Sequence, residues 1–277
     1  MTSTAAIARP RTAILGGGVM GGTLVAALRD AGWAAADVVV GEVDPAKGEH
    51  LHAMHGVTVV TDAGEAVSGA QVVILAVKPQ GMAEALAQIV PVLDPAALVV
   101  TVAAGLPSSF YEERLAPGTR LVRTMPNTPA VVGRGATAVA RGTHATQADA
   151  HAVVEMLGGT GLVVEVDEEQ IDAVIAVSGS GPAYFFAFVE ALTEAGVAQG
   201  LDRELATRLA TQTLIGAAQL LDTSGETPKT LRERVSSPGG TTLAALAAMD
   251  HAGLQGVVSA GAAAAARRSK EMAAELG

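Results

Sequence analysis

The chain has 277 residues, 49% of them apolar and 17% charged, which is the make-up of one large or two medium folded domains and excludes a disordered or fibrous chain. Lysine and arginine total 18 against 28 acidic residues, a net charge of −10, so neither nucleic acid nor an anionic membrane is an expected partner. Cysteine is absent, which excludes disulfide frameworks, thiolate nucleophiles and Cys-ligated zinc or iron–sulfur clusters. Arg9 and Arg11 follow a short Ala-rich stretch, the reverse of a signal peptide, and the apolar run Ala173 to Val189 is interrupted by Ser178-Gly179-Ser180-Gly181-Pro182. A cytoplasmic protein without a membrane span is expected.

In chain order, Thr12 to Leu15 is a short apolar run ending at a glycine cluster, and a helical pattern follows with Leu24, Ala27 and Leu28 on one face and Gly32 as its stop. Strands are expected at Val38–Val40, Val57–Val60, Val72–Val77, Leu98–Val102, Leu121–Arg123, Ala136–Ala140 and Leu162–Val166. Helices are expected at Met82–Val90 and Gln147–Leu157. Alternation of this kind implies βαβ units, a mostly parallel sheet and helices on both faces. After Val166 the pattern is helical throughout: Ile171–Val177, Tyr184–Ala198, Arg203–Leu221, Thr230–Val235, Leu243–Met249 and Gln255–Leu276. The expected architecture is an α/β, Rossmann-type doubly wound sheet over residues 1–166, then an all-helical domain over residues 167–277.

Gly16-Gly17-Gly18-Val19-Met20-Gly21 fits G-x-G-x-x-G with glycines at 16, 18 and 21, after a strand and before a helix. In such a loop the first glycine makes the turn, the second lets backbone approach a pyrophosphate, and the third lets helix pack on strand. The helix start, at Val19 and Met20, turns its N–H groups toward the phosphates. Glu42 closes the second strand, where a dinucleotide site places the carboxylate that receives the ribose 2′-hydroxyl. No arginine lies between Arg29 and Arg114 to receive a 2′-phosphate, and only Lys47 is near. NADH is the favoured cofactor, with NADPH the alternative.

The six histidines fall outside the glycine-rich and Ser/Thr-rich motifs, and His50, His52 and His55 lack the i, i+4 spacing of metal ligands, so no metal site is expected. Lysines stand only at 47, 78, 229 and 270, so the helical half has no early lysine for hydroxyacid chemistry. Two segments instead carry small polar residues at helix starts: Val177 to Tyr184, containing Ser180, and Val235 to Thr242, containing Ser237, Gly239, Gly240 and Thr241. Amides and hydroxyls there suit a carboxylate, and turn chemistry between helices explains them equally.

Through these stretches, with Leu75 to Gln80, Val102 to Gly105 and Val122 to Pro129, the sequence resembles the pyrroline-5-carboxylate reductases, from Ala13 to Ala266. The resemblance implies a reductase that converts pyrroline-5-carboxylate to L-proline with NAD(P)H, the last step of proline biosynthesis. Gly16, Gly18, Gly21 and the turn Ala76-Val77-Lys78-Pro79 would hold the cofactor, with Ala103, Ala104 and Asn127 near its nicotinamide. Glu168 would lie close to cofactor and substrate. Gly239, Gly240 and Thr241 would offer amides to the substrate carboxylate, and Thr242 its hydroxyl to the ring nitrogen. A homodimer, further assembled toward a decamer, is implied. Where relatives carry Asn-Arg or a Ser-rich turn after the second strand, this chain has Glu42-Val43, and it has Ala63-Gly64 where many have a cofactor-touching Asn. Rival readings are a reductase of another imine or keto acid, and a nucleotide sensor without chemistry.

Overall fold

The computed structural model describes residues 9–276, so the Ala-rich stretch read against a signal peptide lies outside the described residues. The first half alternates as expected: β1 (Thr12–Leu15), α1 (Val19–Asp30), β2 (Val38–Gly41), α2 (Pro45–His55), β3 (Thr58–Val60), α3 (Ala63–Val67), β4 (Val72–Leu75), α4 (Met82–Ile89), β5 (Leu98–Thr101), α5 (Ser108–Glu112), β6 (Arg120–Met125), β7 (Gly135–Arg141), α6 (Gln147–Leu157) and β8 (Gly161–Glu165). These strands form one sheet in the order β3-β2-β1-β4-β5-β6-β7-β8. Every pairing is parallel except β6 with β7. The central strands are runs of Val, Ile and Leu because both of their faces are covered.

One apolar cluster joins Ile14, Leu24, Leu28, Val40 and Val153, and a second joins Leu15, Val73, Leu75, Met82, Leu86 and Leu121. These are two layers of helix against opposite faces of the sheet, so the doubly wound reading holds. The chain leaves β1 toward β2 on one side and returns to β4 on the other. The switch point, where open α/β sheets bind ligands, therefore lies between the C-terminal ends of β1 and β4.

Three helices, α2, α3 and α5, were not legible from apolar periodicity because they are short or polar all round. Asp44 caps α2 through the Ala46 N–H at 3.0 Å with Pro45 at the first helical position, and Asp62 caps α3 through the Glu65 N–H at 2.7 Å.

β7 also carries an error in polar matching. Thr137 is 1% exposed, and its hydroxyl has no hydrogen-bond partner among the described residues. Thr137→Val should therefore stabilise the protein by about 1 kcal/mol, read as a rise in Tm, because a buried unsatisfied hydroxyl is replaced by a methyl of the same shape.

All later described elements are helical: α7 (Ile171–Val174), α8 (Gly181–Ala198), α9 (Arg203–Ser224), α10 (Pro228–Arg234), α11 (Thr241–His251) and α12 (Leu254–Leu276). The chain divides into two compact units, one running to Gly179 with Ala265 onward, the other Ser180–Ala264. The Ser178 to Pro182 stretch punctuates the helices as its composition suggests, with a bend at Ser180. Ile175–Gly179 forms a π-helical turn, and after the bend at Ser180 the helix α8 starts with Pro182 in its first turn, where its missing N–H costs nothing. The stretch Glu168–Ala198, 31 residues, is long and apolar enough by length and composition to cross a membrane.

In the second unit α8 packs on α9, with Gly196 close against Ala206. Phe185, Phe186, Phe188, Leu205, Leu209 and Ile215 remain exposed, far more apolar surface than two helices of a monomer leave bare.

Candidate active site

β1 delivers the chain to the switch point at Gly16, which has φ +100° and receives its register from the Gly16 N–H bond to Gly41 O at 2.8 Å. A methyl group at residue 16 would lie 2.7 Å from Ala76 O, and one at residue 21 would lie 1.9 Å from Gly16 O. Gly16 and Gly21 are thus demanded by the protein's own packing: turn on turn, and helix on turn. Gly18 is different. It caps α1 at φ −67°, a conformation open to any residue, and a methyl group there would meet nothing within 4 Å.

α1 begins without a side-chain cap and with no acidic residue in its first turn, so the N–H groups at Val19 and Met20 face outward beside Gly18. A bare cradle at an uncapped helix start fits the pyrophosphate of a dinucleotide.

Glu42 stands beside this loop, 8% exposed. One carboxylate oxygen accepts the Gly17 N–H at 2.7 Å and the other the Asp44 N–H at 2.8 Å. It braces the glycine loop, a role that position in the sequence did not disclose. Each oxygen keeps a second lone pair for a ribose hydroxyl. Val43 beside it is exposed, and Lys47 sits 3.3 Å from Asp44.

Across the switch point, Ala76 is tied to β1 by its N–H bond to Leu15 O at 2.8 Å. Val77 is half-buried, Lys78 exposed, and Pro79 opens a single 3-10 turn before α4.

β5 ends in the loop 102–107, which carries Ala103 and Ala104. Thr101 Oγ1 accepts the Ala103 N–H at 3.3 Å and donates to the Tyr111 hydroxyl at 2.7 Å, while Thr124 Oγ1 donates to Thr101 O at 2.9 Å. Burial raises the Tyr111 pKa from 10.0 to about 12, against a smaller lowering by Thr101. A folded-state value above the unfolded one means the neutral phenol is favoured by folding, so stability falls as pH rises between about 10 and 12. In alkaline unfolding, Tyr111→Phe is expected to lose less stability than the parent over that window.

At the far end of the loop, Glu168 Oε1 accepts the Ser108 N–H at 3.1 Å and Arg123 Nη1 at 2.5 Å, and Oε2 accepts Ser108 Oγ at 3.0 Å. Asn127 is 9% exposed; its Nδ2 donates to Ser178 O at 2.9 Å and its Oδ1 accepts the Ala136 N–H at 2.8 Å. Its side chain ties the end of β6 to the π-helical turn, with one N–H still open. Sequence reasoning missed Ser108, Thr101, Tyr111 and Arg123. An arginine within the apolar run of β6 was the available signal, since a buried guanidinium requires a carboxylate.

The remaining expected residues belong to the second unit. Ser180 is half-buried at the start of α8. Ser237 to Gly240 form a tight turn closed by the Gly240 N–H bond to Ser237 O at 2.9 Å, with Gly239 at φ +71°. A methyl group at residue 240 would lie 2.5 Å from Ser237 Oγ. Gly240 is the N-cap of α11 without a side-chain bond, so the helix start at Thr241 and Thr242 presents open N–H groups.

A parallel-dominated sheet with a glycine cradle at its switch point and a helical C-terminal region defines an NAD(P)-dependent oxidoreductase of Rossmann type. Residues 11–105 match the family described as NADP oxidoreductase, coenzyme F420-dependent, and residues 168–272 match pyrroline-5-carboxylate reductase dimerisation. The pyrroline-5-carboxylate reductase of Pseudomonas aeruginosa is 40% identical over 269 residues, 97% of this chain and 98% of that one. The solved reductase from Coxiella burnetii is 32% identical with a TM-score of 0.90, covering 95% of this chain and 98% of that one. That of Plasmodium falciparum, solved with NADP bound, is 27% identical with a TM-score of 0.83, covering 97% and 100%. This chain belongs to the pyrroline-5-carboxylate reductase family.

Proposed function

We infer that the chain reduces 1-pyrroline-5-carboxylate to L-proline, the last step of proline biosynthesis, as an oxidoreductase acting on a CH–NH group with NAD(P)H. The observation that carries this reading, beside family membership, is the cradle at Gly18: a glycine that packing does not require, at an uncapped helix start, at the switch point. Gly16, Gly18, Val19, Met20 and Gly21 would hold the pyrophosphate. Ala76, Val77, Lys78, Pro79, Ala103, Ala104 and Asn127 would line the nicotinamide half. The bound dinucleotide supplies the hydride. Gly239, Gly240 and Thr241 bind the substrate carboxylate by their amides, with Ser180 and Ser237 beside it, and Thr242 directs its hydroxyl to the ring nitrogen. An iminium carbon needs no histidine or lysine to activate it, so orientation and electrostatics carry the reaction.

The working division lies near Asp167, with the dinucleotide held by residues 1–166 and substrate and a second copy held by residues 167–277. The bare faces of α8 and α9 support a homodimer, assembled further into a decamer, in the cytoplasm. The same faces account for the apolar run Glu168–Ala198 without a membrane.

NADH is the preferred cofactor in this reading. Glu42 and Asp44 put two carboxylates together just after β2, no arginine stands between Arg29 and Arg114, and Lys47 is already paired. The test is turnover of pyrroline-5-carboxylate with NADH and NADPH side by side, followed by loss of the reduced-nicotinamide absorbance. NADH is expected to give the higher kcat/KM. Val43→Arg, at an exposed site, should raise kcat/KM for NADPH about tenfold by adding a phosphate partner. A native preference for NADPH would remove the ribose-reading role of Glu42, and absence of turnover with either would remove the activity.

A further inference from the structure

We propose that Ser108, Glu168 and Arg123 form a positioning relay for hydride transfer, holding the loop 102–107 in place, and that Glu168 acts through Ser108 rather than on the substrate. The proposal rests on the dinucleotide reading above. In a sheet of this order the glycine loop follows β1 and the ribose carboxylate ends β2. The other half of the dinucleotide therefore runs the opposite way, over the ends of β4 and β5, onto Ala103 and Ala104. The loop bearing these two alanines is short, and it is held at its start and immediately after its end.

At its start, Thr101 holds the Ala103 N–H and is itself held by Tyr111 and Thr124. At its middle, Gly105 has φ +84°, and a methyl group there would lie 3.1 Å from Met272 Cε, in the C-terminal part of α12. At its end, Ser108 is held by both its N–H and its hydroxyl, one to each oxygen of Glu168. The carboxylate is in turn fixed by Arg123, 5% exposed, projecting from β6.

Three donors from the fold thus occupy both oxygens of Glu168, and all three lie in the unit that carries the loop. Arg123 anchors the carboxylate to the sheet; the carboxylate anchors the loop. A shift at Ser108 is transmitted through the two residues Leu106 and Pro107 to the surface on which the nicotinamide rests. Leu106 is 0% exposed and cannot absorb it.

The experiment compares Ser108→Ala, Glu168→Gln and the double variant with the parent. Two readouts are used: hydrogen–deuterium exchange of the 102–107 peptide without ligands, and steady-state kinetics with NADH and C4-deuterated NADH. Exchange in that peptide should rise at least about tenfold in both single variants. In kinetics, kcat should fall about tenfold, with KM for NADH within about twofold, a larger deuterium isotope effect and an unchanged pH profile. The double variant should be no worse than the poorer single one, because both changes weaken the same Ser108–Glu168 link.

Unchanged exchange in Ser108→Ala overturns the relay, whatever the enzyme turns over. Parent-like kinetics in Ser108→Ala beside an impaired Glu168→Gln, or loss of a limb of the pH profile in Glu168→Gln, overturns it in favour of direct action on the substrate. Should Glu168→Gln not fold, Ser108→Ala alone decides. Failure of the parent to reduce pyrroline-5-carboxylate would count against the function proposed above, while the exchange measurement would still decide the relay.

Discussion

Gly21→Ala should lower the Tm of the protein by about 6–12 °C or more, while Gly18→Ala, three residues earlier, should keep most of its stability and bind the cofactor at least about tenfold more weakly. The two glycines belong to one sequence motif, yet the structure separates their reasons for being glycine. A methyl group at residue 21 would sit 1.9 Å from the carbonyl oxygen of Gly16, inside any allowed contact. The partner cannot retreat: Gly16 is itself held at φ +100° with the Ala76 carbonyl on its other side. Overpacking a rigid backbone contact costs about 3 kcal/mol or more, a large part of a total stability of roughly 5–15 kcal/mol. For a domain of this size that lowers Tm by about 6–12 °C or more.

At residue 18 a methyl group meets nothing within 4 Å and φ −67° suits alanine, so the folding cost is limited to the weaker N-cap, about 1 kcal/mol. The methyl group instead occupies the space in which the pyrophosphate approaches the backbone. KM for NADH should rise at least about tenfold, equivalent to about 1.4 kcal/mol. Thermal melts with and without NADH separate the two effects. A Gly21→Ala with the parental Tm, or a Gly18→Ala with parental KM, contradicts the division.

How much of this was legible in the sequence depends on the range of the interaction. The glycine motif and its strand–helix context are local, so Gly16, Gly18 and Gly21 fell where expected, and the alternation of Val/Ile runs with helical patterns gave the doubly wound sheet. The family resemblance then supplied roles for residues such as Thr242 that no spacing rule assigns. Pairings made by topology were out of reach. Glu42 was found by its place at the end of β2, but its bond to Gly17 depends on β1 and β2 being neighbours in the sheet. Arg123 and Glu168 are 45 residues apart in sequence and meet only because the chain enters its helical half beside the end of β6. Ser178 to Pro182 is local too, and its punctuation was legible. Its glycines and proline mark the bend at Ser180 and the start of α8, whereas the π-helical turn Ile175–Gly179 before it has no propensity signal.

Thr242→Ala is expected to lower kcat for pyrroline-5-carboxylate about 100-fold while leaving NADH affinity unchanged. Four helical threonines of the second unit show what usually settles such a hydroxyl. Thr193, Thr207, Thr213 and Thr223 each donate to the carbonyl four residues earlier, at 2.8–2.9 Å, which settles the hydroxyl within its own helix. For Thr242 the residue four earlier is Pro238, in the turn before α11, so the helix does not build that acceptor. The hydroxyl is left at an uncapped helix start, beside open N–H groups suited to a carboxylate. A substrate whose carboxylate is held there carries its ring nitrogen a short distance away, within reach of one side-chain hydroxyl. Donating to the nitrogen as it becomes an amine stabilises charge that changes during reduction, and removal of one such donor typically costs 10²–10³ in kcat. Thr242→Ser keeps the hydroxyl and should recover most of the rate, which a loss due to packing would not show. Equal kcat in Thr242→Ala and the parent would take Thr242 out of the site, and a parallel loss of NADH affinity would place it with the cofactor instead.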